Sequence, residues 1–141
     1  MSTAAPPVPP IGPADPLGRE IFSQWDSVRA ARGNVPHKVF LEKPGVNALS
    51  VDRLDLAPDI VLAQIGDKNA ERRNQTFYGW AVVSAEYAAT NGRTVRAVAL
   101  PDNPYHAEIQ LNISQSSERR DVEKQHAVEL AAAASWRGRP S

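Results

Sequence analysis

Cysteine is absent from the 141 residues. Disulfides, thiolate-bound metals and cysteine nucleophiles are therefore excluded. Histidine is scarce: His37, His106 and His126 are the whole supply. No two of them stand at the His-x-His or His-x-x-x-His spacing that brings two imidazoles to one metal. A metal site would have to gather its ligands from separate elements, so no metal and no cofactor is expected. Glycine-rich loops of the Gly-x-Gly-x-x-Gly and Gly-x-x-x-x-Gly-Lys-Ser/Thr kinds are missing, as is the Gly-x-Ser-x-Gly elbow. The corresponding nucleotide cradles and hydrolase nucleophile are thereby disfavoured. No apolar run approaches the roughly 18 residues of a membrane span. The opening MSTAAPPVPPIGPADPLG has neither the basic nor the apolar region of a signal peptide. A cytoplasmic protein without a membrane partner is the expectation. Net charge is also missing, with 16 basic residues against 16 acidic ones. Nothing global draws the chain to nucleic acid.

What is present suits a packed core. Hydrophobic residues are 42% and charged residues 23% of the chain, both near globular averages, and the length fits one domain. Arginine outnumbers lysine twelve to four, and alanine is abundant. That composition suggests a GC-rich bacterial genome. Many of the arginines come in pairs, at 72–73 and 119–120 for example. Interleaved acids at 71, 118, 121 and 123 favour a solvated face over a phosphate-tracking stripe.

Along the chain, residues 1–14 hold five of the twelve prolines and no charge, and are read as a disordered tail. Leu17, Ile21, Trp25 and Val28 follow at steps of four, four and three, which predicts a helix closed by Gly33 with Trp25 as a core anchor. Residues 35–42 and 48–54 read as two strands joined by Lys43-Pro44-Gly45, a hairpin. Residues 55–73 are helical in pattern. QTFYGWAVV, residues 75–83, is the strongest strand signal, with Gly79 marking a bulge or a close approach. A short helix at 85–90 and a strand at 93–100 complete a unit in which the two strands pair in parallel or antiparallel fashion. A proline turn at 101–105 then makes 106–113 the antiparallel partner of 93–100. A last helix runs to about residue 136, and 138–141 form a frayed tail. The sum is one α+β domain over residues 15–137, with a mixed or antiparallel sheet of about five strands, a helix at each end and helices over one sheet face.

Chemistry concentrates in PDNPYHAEIQL, residues 101–111. His106, Glu108 and Gln110 alternate with Ala107, Ile109 and Leu111, so one strand face is polar and the other apolar. A carboxylate beside an imidazole can fix its tautomer and raise its basicity, which makes His106 and Glu108 a candidate acid–base pair. Asp52 and Arg53, at the end of the Ala48–Leu54 strand, are candidates for holding substrate, Arg53 through an anionic group, together with Tyr105. The alternative for each is a solvated sheet face or a structural ion pair.

LSVDR at 49–53, GWA at 79–81 and NPYHAEI at 103–109 together resemble a pattern in a diffuse group of short uncharacterised bacterial proteins. The resemblance spans residues 36–113 and implies that these blocks form one unit. It implies no activity and assigns no role to any residue.

Two functional classes follow. One is a small accessory or interaction protein without catalytic activity, binding a protein partner through an apolar patch that includes Trp80 or Tyr105. The other is a small hydrolase or transferase in which His106 and Glu108 do acid–base work and Arg53 or Asp52 meets the substrate.

Overall fold

The computed structural model describes residues 8–114 and 116–141. They form a single α+β domain built on a six-stranded sheet. The strands are β1 (Pro16–Ile21), β2 (Ala48–Arg53), β3 (Gly79–Ser84), β4 (Thr94–Ala97), β5 (His106–Gln110) and β6 (Ser135–Gly138). Their order is β4-β5-β2-β1-β3-β6, and every ladder is antiparallel. Four helices accompany them: α1 (Gln24–Ala31), α2 (Asp59–Arg72), α3 (Ala85–Ala88) and α4 (Arg119–Ala133).

The first element is a strand where the periodicity predicts a helix. Leu17 and Ile21 are four apart, and four is also twice the strand period of two, so both residues share a face with Arg19 between them. The helix begins only at Gln24, where the Ser23 hydroxyl accepts from the Asp26 amide at 3.3 Å. Trp25, expected in the core, is 66% exposed, with Val28 beside it at 40%.

Residues 35–42 form no strand and no hairpin with β2. Pro36 removes a ladder donor and fixes its own φ. The chain instead makes a 3-10 turn at His37–Phe40, with Val39 N–H bonded to the Pro36 carbonyl at 3.1 Å. The turn drives Val39 and Phe40 into the core. β2 pairs with β5 and, briefly, with β1.

β3 pairs with β1 along its whole length. Gly79 is a point of close approach, as the sequence suggests. Its φ is 148°, and a Cβ there would lie 2.4 Å from the Arg137 carbonyl oxygen of β6. The unit β3-α3-β4 joins no neighbouring strands, since β4 lies at the far edge of the sheet beside β5. The β4–β5 hairpin forms in the expected sense, from Thr94↔Gln110 to Ala97↔Ala107.

The helices divide between the two faces of the sheet. On one face, Leu17, Ile21, Leu49, Val51, Ala81, Val83, Ala107 and Ile109 meet Ala30 of α1, Phe40, Ala88 of α3, and Ala127, Leu130 and Ala131 of α4. On the other, Trp80 and Leu54 meet Phe77 and the Leu62, Ala63 and Ala70 of α2. The expected helix at each end is replaced by a strand at each end. α4 stops because Ala134 turns extended (φ −80°, ψ 149°), and Trp136 then sits opposite Ala81 in β6. Past β6, the Arg139 amide donates to the Tyr78 carbonyl at 3.1 Å and Arg139 pairs with Asp67. Of the proline-rich segment, residues 1–7 lie outside the described residues, and from Ile11 onward the chain packs on the core. The Gly12–Asp15 turn there is closed by Gly12 N–H donating to Asp15 Oδ2 at 2.7 Å.

One defect in the sheet positions the site. β1 and β2, its two central strands, share only two residue pairs, Leu17↔Arg53 and Gly18↔Asp52. Beyond them the strands part. Arg19 fills the gap with its guanidinium, donating to the carbonyls of Ser50 (3.0 Å) and Val39 (2.9 Å) and pairing with Glu42. Side-chain donors thus serve a carbonyl that a continued ladder would otherwise have claimed.

Candidate functional site

Where β1 and β2 separate, a cleft of about 560 Å³ opens between the two halves of the sheet. That volume lies within the range of small-molecule sites. β1 contributes Arg19 and Glu20, β2 contributes Ser50 and Asp52, and β5 contributes His106. The last turns of α2 add Lys68, Asn69, Arg72 and Arg73, and the loop before β5 adds Asp102 and Asn103.

Asp52 is the fixed point. It is buried, and both of its oxygens accept N–H bonds: Oδ1 from Asn103 Nδ2 at 3.1 Å and Oδ2 from Trp80 Nε1 at 3.1 Å. Trp80 lies on β3, one strand beyond β1, and its indole reaches Asp52 by crossing Gly18. A Cβ at Gly18 would sit 2.8 Å from the indole Cδ1 and 2.7 Å from Leu54 Cδ1. The missing side chain is therefore what opens the path between Trp80 and Asp52.

Glu20 lies beside this acid, within hydrogen-bonding reach of Asp52, and accepts from Asn69 Nδ2 at 2.9 Å. Burial of its carboxyl, then the hydrogen bond with Asp52 and the Asp52 charge, push its pKa up to about 9, against the opposing pull of Asn69 and Arg19. Two carboxyl groups at one place hold one proton between them, and Glu20 is the one that keeps it at neutral pH.

His106 stands opposite Asp52 in the β2–β5 ladder, on the same sheet face. Its Nδ1 lies 2.9 Å from the Val98 carbonyl oxygen. A carbonyl can only accept, so Nδ1 carries the hydrogen and the neutral ring keeps its lone pair on Nε2. The imidazole is thus oriented by main chain.

Of the residues singled out from sequence, Asp52 and His106 come together in the cleft. Glu108 does not join them. One row further along β5, its Oε1 accepts from Gln110 Nε2 at 2.8 Å and from Arg96 Nη2 at 3.4 Å. Arg53 faces the opposite side of the sheet from Asp52, as adjacent strand residues must. It is fully buried, its three guanidinium nitrogens lack hydrogen-bond partners among the described residues, and the Asp15 carboxylate stands 3.8 Å away. Tyr105 packs against the Leu54–Trp80 cluster and does not line the cleft, while its carbonyl accepts from the Arg53 amide at 2.8 Å. Trp80, expected on the surface, is completely buried.

Sequence reasoning misses Glu20, Asn69, Asn103 and the Trp80 donor. A period-two reading of Leu17-Gly18-Arg19-Glu20-Ile21 would put Glu20 on the same polar face as Asp52 and His106, but only the strand order brings the three together. Among the described residues, no group of three or more histidines, aspartates or glutamates is arranged to hold a metal ion.

A second polar cluster lies against α4. Arg93, almost wholly buried, donates to the Ala88 carbonyl (2.9 Å), closing the end of α3, and to Thr90 Oγ1 (3.0 Å). Its Nη1 lies 2.7 Å from His126 Nδ1. Guanidinium only donates, so this Nδ1 accepts and the ring is neutral. Burial and then the Arg93 charge lower the His126 pKa, against the opposing pull of Glu129.

Comparison with known proteins finds no family model, curated protein or solved structure that matches the chain. Among the described residues no helix is long and apolar enough to cross a membrane.

Proposed function

We propose that the protein is a small acid–base enzyme of hydrolase type, working in the cleft between β1 and β2. One observation carries the reading: a glutamic acid that retains its proton to about pH 9 shares a cleft with an imidazole whose Nε2 lone pair is free of the Val98 bond. Paired titratable groups whose surroundings push them apart divide naturally into acid and base. In the proposed reaction His106 Nε2 takes a proton from water as the water oxygen bonds to the substrate. The bond to the leaving group breaks, and the departing oxygen takes the Glu20 proton. Solvent then returns the proton from His106 to Glu20. Asp52 holds the Glu20 proton in place, and Trp80 and Asn103 position Asp52. A bacterial cytoplasmic setting belongs to the same proposal and is supported by composition alone.

The test is a panel of chromogenic carboxylic esters, phosphate monoesters and glycosides, assayed with wild type, His106→Gln and Glu20→Gln. Turnover on at least one class is expected, lost by about 100-fold or more in either variant, with an alkaline limb in the wild-type pH profile near pH 9 where Glu20 ionises. Equal turnover in all three proteins on every active substrate would overturn the reading.

A non-catalytic interaction role is the second reading. Exposed Trp25 and Val28, side by side on α1, favour it. Replacing Trp25 with Ala should then abolish capture of a partner by the full chain while leaving the fold intact. Unchanged capture would count against it.

A further inference from the structure

The proposed acid–base cleft has a charge pattern that bears on what enters it, and this inference rests on that reading of the site. Five cationic side chains line the cleft: Arg19, Lys38, Lys68, Arg72 and Arg73. Three are matched by carboxylates, Arg19 by Glu42, Lys38 by Asp26 and Arg72 by Asp102. Among the described residues no carboxylate lies within ion-pairing distance of Lys68 or Arg73. The Arg73 guanidinium instead lies over the Phe22 ring, 4.8 Å from its centroid, which leaves its N–H edge available.

Among the other cleft acids, Glu42 and Asp102 feel the charges of Arg73 and Lys68 but are each paired to another arginine. Glu20 holds its proton, and Asp52 commits both oxygens to Trp80 and Asn103. The unmatched charge is thus two cations against one inner carboxylate. Arg73 is the C-cap of α2, at the negative end of the helix dipole, and Lys68 lies just before the last turn. Their spacing from the acid follows from the helix. Asn69 touches Glu20, and Arg73 lies four residues, about one turn or 5–6 Å, further along the same helix face. Lys68 adjoins Asn69. Lys68, five residues before Arg73, sits about 140° round the helix from it, so the two meet at a common group through their long side chains, beside the Asn69 that touches Glu20.

We infer that the cleft takes its substrate by a dianionic oxyanion, a phosphate monoester group, held between Lys68 and Arg73 next to the Glu20 and His106 pair. Two cations without carboxylate partners lining one cleft suit a doubly charged group better than a carboxylate, and the Arg73 fork matches two phosphate oxygens at once. Arg72 also lines the cleft, and its pairing with Asp102 joins two exposed side chains and is weak.

The probe is inorganic phosphate, titrated into the full chain by calorimetry at pH 7.5, with sodium acetate as the monoanionic carboxylate arm. Saturable phosphate binding is expected. It should weaken by at least about tenfold in Lys68→Ala/Arg73→Ala, weaken with added sodium chloride, and stay unchanged in Lys124→Ala, a change on a different helix. Lys68 and Arg73 are exposed, so the double variant should fold, and circular dichroism checks that. Acetate should bind at least about tenfold more weakly than phosphate. Absence of saturable phosphate binding, or equal binding in the double variant, would overturn the inference. So would acetate binding as well as phosphate. The measurement involves no turnover. Phosphate binding without hydrolysis would sink only the acid–base reading, and hydrolysis without phosphate binding would sink only this one.

Discussion

The substitution Glu20→Gln should make the protein more stable at alkaline pH, and the gain should vanish in acid. A glutamine there would keep the acceptor that Asn69 uses and would offer Asp52 an N–H where Glu20 now offers an O–H. It therefore copies the protonated glutamic acid and cannot ionise. In the unfolded chain Glu20 loses its proton near 4.5, and in the folded chain only near 9. The folded state thus binds the extra proton between those limits, so wild-type stability falls as pH rises through the window and levels off above it. One proton of difference is worth about 1.4 kcal/mol per pH unit. Carried undiminished to pH 8 that would rival the whole stability of a small domain. Glu20 is only half-buried, and solvent at the cleft mouth screens the effect, so a gain of about 2 kcal/mol for Glu20→Gln at pH 8 is expected. In a domain of this size it corresponds to roughly 8 °C in Tm. Urea denaturation of both proteins at unit steps from pH 5 to 9 measures the gap. A constant gap, or a variant less stable than wild type at pH 8, would refute the shared proton between Glu20 and Asp52.

Two further outcomes follow from the buried cations. Arg53→Met replaces a fully buried guanidinium that has no hydrogen-bond partner among the described residues with an apolar chain of similar length. Thermal unfolding should show it neutral to more stable by about 1–4 kcal/mol, since the desolvation of Arg53 is poorly offset by Asp15 at 3.8 Å; a loss above about 2 kcal/mol would show that Arg53 has a partner in solution. Acid should weaken the Arg93 cluster. The folded His126 pKa lies below 6.5, so the unfolded ring protonates first, and its contribution falls as pH drops below about 6.5 until the folded ring also protonates. His126→Gln keeps an acceptor for Arg93 but cannot titrate, and should remove that decline. The comparison is made against wild type at each pH because Glu20 contributes the opposite slope over the same range.

How much of the fold and the cleft is legible in the sequence depends on how local each feature is. The β4–β5 hairpin can be read because its turn, Pro101-Asp102-Asn103-Pro104, lies between two runs of period two. The polar face of β5 is legible for the same reason, and with it His106. Asp52 is visible as an acid on a strand. The first strand is hidden because Leu17 and Ile21 fit both periods, and Trp25 and Val28 extend the helical one by chance; both are exposed, not core anchors. Residues 35–42 look extended because Val39, Phe40 and Leu41 are apolar, yet Pro36 and the pull of α4 turn them into two buried knobs. The partnership of Glu20, Asp52 and Asn69 depends on β1 lying beside β2 and on α2 crossing that face. Strand order is set by packing over the whole chain, which local pattern does not encode. Trp80 is misplaced for a related reason. The interaction reading places Trp80 or Tyr105 in an exposed apolar patch, but Trp80 is buried, with its indole N–H on Asp52, reached over Gly18.

Most binding sites hang on loops, which can loosen while the body of the protein stays folded. Here the floor is the central pair of strands, joined by two rungs and wedged by Arg19. Anything that widens this seam pulls the halves of the sheet apart, so the cleft has no private melting transition. Its lifetime is that of the domain, and amide exchange at Gly18 and Asp52 should report on both at once.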